Sequence, residues 1–117
     1  MRYVDGYVIP VPEKNLKTYI RMAKIGAAMW MKHGALDYKE CVGEDLETKW
    51  GTPFSKMMKL KPGETVVFSY IVFKSRAHRD RVNAKVIKEM EKMGEMKEMP
   101  FDVKRMVYGG FKVLVDA

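Results

Sequence analysis

Six polar side chains stand on apolar runs, where a binding protein or a small enzyme would want them. Asp5 and Tyr7 lie in the first run, Tyr70 in the strongest one, and Asp102, Arg105 and Tyr108 lead into and along the last. Polarity on a central strand needs a partner. If Arg105 finds no partner in the fold, it is free to meet an anion at a pocket. Asp102 and Arg105 admit two readings. They form an ion pair that ties down the last strand, or they line a small cavity between a sheet and its helices. Side chains at odd spacing on a strand point to opposite faces, so a pair requires the chain to bend between them. The tyrosines read equally well as plain core residues.

The two histidines, His33 and His78, are far apart in sequence. His33 precedes Gly34 at a helix end, where a cation suits the helix dipole. His78 lies in a first helical turn among Arg76, Arg79 and Arg81. Those charges disfavour its protonation, and a neutral imidazole is a ligand or a base. It therefore joins the candidate pocket, with an exposed surface histidine as the simpler alternative. Cys41 has no second thiol, and no metal-ligand spacing occurs, so neither metal nor cofactor is expected. Met90, Met93, Met96 and Met99 recur every three residues. Adaptable core packing explains them better than a soft-metal site. There is no glycine-rich phosphate loop and no Gly-x-Ser-x-Gly elbow, which argues against nucleotide hydrolysis and α/β-hydrolase chemistry.

The elements that must position these residues follow from periodicity. Tyr3–Val11 alternates with both sets apolar, as in a strand covered on both faces. Pro12 suits the first turn of a helix over Glu13–His33, with Leu16, Tyr19, Ile20, Ala23, Ala27, Trp30 and Met31 at the helical period. Gly34 is placed for a left-handed stop. Ala35–Val42 is a more polar strand suited to an edge. A long segment, 44–63, follows, in which Thr52-Pro53 opens a helical turn carrying Phe54, Met57 and Met58. Loops of that length are commonly functional lids or disordered. Thr65–Phe73 is the strongest strand. Ser75 caps a second helix with Val82, Val86, Met90 and Met93 on one stripe. Lys104–Val115 is the last strand, where Gly109-Gly110 signals a bulge or a close backbone approach.

Strand, helix, strand, strand, helix, strand is the ferredoxin-like order of a single α+β domain. Its first and third strands are central in a four-stranded antiparallel sheet, and two helices cover one face. The other face is left apolar, which predicts a homodimer packed sheet on sheet. The 117 residues, 47% hydrophobic and 32% charged, suffice for one core. The net charge of +7 is spread among 15 acidic residues, so any nucleic-acid partner is expected to bind weakly. One cysteine, no signal-like start and no apolar run of membrane length point to a cytoplasmic protein without a membrane partner.

Some of these residues carry a resemblance. Tyr3-Val4-Asp5-Gly6, Val66-Val67-Phe68-Ser69-Tyr70, Arg79-Asp80 with Asn83, and the run from Met99 through Pro100, Phe101 and Asp102 to Phe111 are similar to the YbaA-like family of small bacterial proteins. The resemblance covers nearly the whole chain. It implies a dimeric α/β-barrel and supplies no reaction. Dimeric barrels that degrade haem resemble a pattern of Asn on the first strand, Trp on the third and His on the second helix. Here only His78 matches, so haem chemistry is not expected. The functional expectation is a small molecule held between sheet and helices. The alternatives are a basic RNA-binding module and a structural or regulatory dimer.

Overall fold

The computed structural model describes residues 1–94 and 98–117. Its elements are β1 (Tyr3–Pro12), α1 (Leu16–Lys32), β2 (Asp37–Val42), the short α2 (Phe54–Met57), β3 (Glu64–Phe73), α3 (Arg76–Met93) and β4 (Val107–Lys112). The strands form one antiparallel sheet in the order β2-β3-β1-β4. The two strands that are apolar on both faces are thus central and the polar one is an edge. The ferredoxin-like α+β architecture is the one that the element order predicts. No helix among the described residues is long and apolar enough to cross a membrane.

Alternation decides what each strand residue meets. Odd-numbered residues of β1 and β3 point at the helices, where Ile9, Val11, Val67, Ile71 and Phe73 are buried. Tyr19 and Met29 of α1 and Val82 and Val86 of α3 close over them. The buried stripe of α1 is rotated from the expected one, because Ile20 and Met31 are exposed while Gly26 and Met29 lie inside. The Gly26 Cβ position is in ordinary contact, 3.5 Å, with the Trp30 ring and the Tyr38 hydroxyl.

Other expectations need correction. Residues 13–15 form a 3-10 turn, so α1 starts only at Leu16. Met90, Met93 and Met99 are exposed and do not pack the core, since the stripe of α3 outruns the sheet after Val86. Met96 lies outside the described residues. β4 is shorter than expected. Asp102 accepts from its own chain at Lys104 N (3.1 Å) and turns Val103–Arg105 into a 3-10 segment. The paired glycines make no bulge, as the β1–β4 register is unbroken. They permit close approach instead. The Tyr3 ring occupies the space a Gly110 side chain would need, and Phe111 lies against Gly6 on the other face.

That other face is partly covered. α2 packs on β3, with the Phe54 ring edge-on to Phe68 at 6.4 Å. At this end Pro10 and its partner Val66 are buried. The segment stays in place through Arg105. Its Nη1 donates to Glu64 Oε2 (2.6 Å), and its Nη2 donates to Glu64 Oε1 (2.9 Å) and to the carbonyls of Met58 and Lys59. A two-pronged guanidinium–carboxylate pair that also ties down free carbonyls is strong and directional. Arg105 therefore pairs with Glu64, not with Asp102. Arg105→Met and Glu64→Gln should each lower stability, and the double variant should fall short of their sum. Asp102→Asn and Arg105→Met should simply add. Denaturant unfolding of the five variants checks this.

Candidate functional site

On the helix side the sheet carries a polar row through its middle. Glu40 lies opposite Ser69, Ser69 opposite Tyr7, and Tyr7 opposite Tyr108, so all four strands contribute one side chain. In the next row, Asp5 of β1 sits between Ile71 and Gly110. Asp5 and Ser69, at 4% and 3% exposure, are the buried polar residues among those described.

Both helices reach the Asp5 carboxylate or its partner. Asn83 of α3 donates from Nδ2 to Asp5 Oδ2 (3.1 Å), and its own Oδ1 accepts from the indole Nε1 of Trp30 on α1 (2.9 Å). The relay fixes which way the asparagine amide points and so which carboxylate oxygen it occupies. The second oxygen faces Arg79, with Nη1 of the guanidinium 3.7 Å from Oδ1. That separation carries electrostatic attraction but exceeds hydrogen-bond length. Arg79 itself lies over the Tyr3 ring, 4.9 Å from its centre, and donates to the Tyr3 hydroxyl (3.2 Å). Its Nε lies 3.2 Å from Asp80 Oδ1, an ion pair that misses hydrogen-bond geometry.

Tyr7 and Tyr108 lead from this carboxylate to the surface. Their rings stack at 5.8 Å, with Tyr7 half-buried and Tyr108 67% exposed. Burial, then the charge of Asp5 and the neighbouring Tyr108, pushes the Tyr7 phenol up to about 12, with Arg79 opposing. It is a neutral donor at ordinary pH. At the other end of the row Glu40 accepts from two phenols, Tyr19 (2.7 Å) and Tyr38 (2.6 Å). Burial and donation to Glu40 push both tyrosines well above their usual range.

The structure thus gathers Asp5, Tyr7 and Tyr108 and leaves out the other four candidates. Tyr70 lies opposite Gly6 on the face away from the helices. His78 sits at the start of α3, edge-on to Phe73, and its Nδ1 accepts from Lys74 N (3.0 Å). Burial, then Lys74, Arg81 and Lys85, holds its pKa below the ordinary value. Asp102 caps its own turn, and Arg105 holds Glu64. The residues that sequence reasoning missed are Glu40, Tyr19, Tyr38 and Trp30. Glu40 read as an edge marker. The alternation of Tyr38, Glu40 and Val42 is the signal that places it inward.

Residues 2–103 match the family described as protein of unknown function DUF1428. The chain is 40% identical over 118 residues to the uncharacterized protein YbaA of Escherichia coli strain K12, covering 99% of both chains. It matches the YbaA protein of Shigella flexneri to the same extent. The chain belongs to this family. Its fold is similar to that of a dimeric ferredoxin-like protein from an uncultured marine organism, with TM-score 0.59 and 11% identity over 99% of this chain and 98% of the other.

Two outcomes follow from the site. Asn83→Ala leaves a buried carboxylate oxygen and the Trp30 indole without their partner, which should cost about 1–3 kcal/mol in denaturant unfolding. The second concerns alkaline pH. Tyr7 ionises in the unfolded chain near its ordinary 10.0 and in the fold near 12. Its contribution is complete below pH 10 and is lost as pH rises through 12. Stability measured from pH 9 upward should fall, and Tyr7→Phe should flatten the fall.

Proposed function

We propose that this chain forms a homodimer in which each protomer binds a small hydroxyl- or carbonyl-bearing molecule on the helix side of its sheet, at Asp5, Tyr7 and Tyr108. The observation that carries this reading is the Asp5 carboxylate. A buried charge costs several kcal/mol unless it is closely paired. Asp5 spends one oxygen on Asn83 and keeps the other beyond hydrogen-bond reach of Arg79. A ligand hydroxyl would donate to the second oxygen, and the neutral Tyr7 phenol would donate to a ligand oxygen.

The dimer reading rests on the face away from the helices. Val4, Val8, Phe68, Tyr70, Val72, Val107 and Phe111 share it, and Phe68, Val107 and Phe111 are 46%, 54% and 61% exposed. A second copy would cover this surface and leave the helix side of the sheet untouched. Aromatic stacking of RNA bases would need the same face free, so the dimer competes with an RNA-binding role. The dimeric assembly of the marine ferredoxin-like protein supports the same reading.

Sedimentation equilibrium at micromolar concentration should give twice the 13.6 kDa chain mass, and Val107→Lys with Phe111→Lys should give the monomer. In fragment screening by NMR, small polyols and hydroxy ketones should shift the Trp30 indole and Asn83 side-chain amide signals. Asp5→Asn should abolish those shifts. A monomer, or hits confined to other surfaces, would overturn the respective half of the proposal.

A further inference from the structure

The groove between α1 and the β2 edge is apolar except at its floor. Leu16, Tyr19 and Ile20 of α1, Glu40, Cys41 and Val42 of β2 and Val67 of β3 line a space of about 130 Å³, and the bond from the Tyr19 hydroxyl holds the Glu40 side chain beneath α1. Ile20 and Val42, 45% and 52% exposed, form a rim open to solvent.

Glu40 has hydrogen bonds but no counter-ion. The donors from Tyr19 and Tyr38 satisfy one lone pair on each oxygen, and both phenols are held in their neutral form. These donors orient the carboxylate without supplying an opposite charge. Among the described residues no lysine, arginine or histidine pairs with it, and the adjacent Lys39 is taken by Asp37. Each carboxylate oxygen retains acceptor capacity. A half-buried anion at the base of an apolar groove is complementary to one chemical class. We infer that this groove is a second binding site, for a small organic cation with an apolar tail, a primary alkylammonium ion.

The tail replaces water along Leu16, Ile20, Val42 and Val67, which is the apolar part of the affinity. The ammonium donates to Glu40 in surroundings of low polarity, where a charge-assisted hydrogen bond is about twice as strong as a neutral one. The groove is too small for a bulky quaternary ammonium and has no cation to receive a carboxylate. It opens at the β2 edge, across the sheet from Tyr108, and so is separate from the proposed Asp5 site.

Three probes of equal length separate charge from shape: n-butylammonium, n-butanol and n-butyrate, titrated against the full chain and followed by the methyl signals of Leu16, Ile20 and Val42. The ammonium should bind at least about tenfold more tightly than the alcohol, the margin between a charged and a neutral hydrogen bond, and butyrate should not bind. Glu40→Gln retains a carbonyl for one phenol and an amide for the other, and should erase the preference for the cation while the alcohol still binds. Equal binding of alcohol and ammonium, a preference that survives in Glu40→Gln, or no binding at this groove would overturn the inference.

Discussion

A carboxylate on the central strand of a sheet, under two helices, constrains everything packed around it. Asp5 is stable there only if donors reach it from the helix layer. Asn83 supplies one, and Asn83 is itself oriented by the indole of Trp30. One chain of two hydrogen bonds therefore joins β1, α3 and α1. Its bonds have directions, whereas the hydrophobic contacts of Ile71, Phe73, Val82 and Val86 beside it do not. The apolar clusters on either side hold the helices onto the sheet, and the relay sets their rotation and position along it. The rotated stripe of α1 fits this account, since Trp30 must reach Asn83.

The polar row has a second consequence. It divides the interior into two apolar clusters, one around Phe73 and Val86 and one around Val11, Val67 and Phe101, with the Tyr7 ring touching both. A sheet that carries Glu40, Ser69, Tyr7 and Tyr108 across its middle gives up part of the burial that a row of valines would provide. Compensation comes from satisfied phenols and from the Arg105–Glu64 clasp at the far end. The proposed binding and the proposed association would occupy opposite sides of one sheet, so neither would block the other.

Much of the fold was legible because it rests on local rules. Two-sided apolarity made β1 and β3 central, the polarity of β2 made it an edge, and Gly34, Pro53 and Ser75 marked turns and a cap that the chain uses. The site was legible only in part. Asp5 and Tyr7 stood out as polar groups on a central strand, and Tyr108 followed from the adjacent one. The partners did not, because they are chosen across long separations. Tyr19 and Glu40 are 21 residues apart, and Asn83 and Asp5 are 78 apart. Arg105 shows the same limit. Asp102 was its neighbour in sequence, yet a turn closed by the Asp102 side chain spent that carboxylate locally and left Glu64, 41 residues away, to meet the guanidinium.

The two carboxylates of the interior also differ in what surrounds their charge. Asp5 faces a guanidinium, but at 3.7 Å and without a hydrogen bond. Among the described residues Glu40 meets only phenols, which donate hydrogen bonds without supplying an opposite charge. Asp5 is buried and Glu40 half-buried, and hydrogen bonds orient a charge whereas only an opposite charge compensates it. Burial first, then the Asp5 charge and more weakly Glu40, opposes ionisation of the Tyr7 phenol. A phenol held neutral in this way is a dependable donor over a wide pH range. That property, more than the reactivity of any single group, is what the middle of this sheet is built to keep.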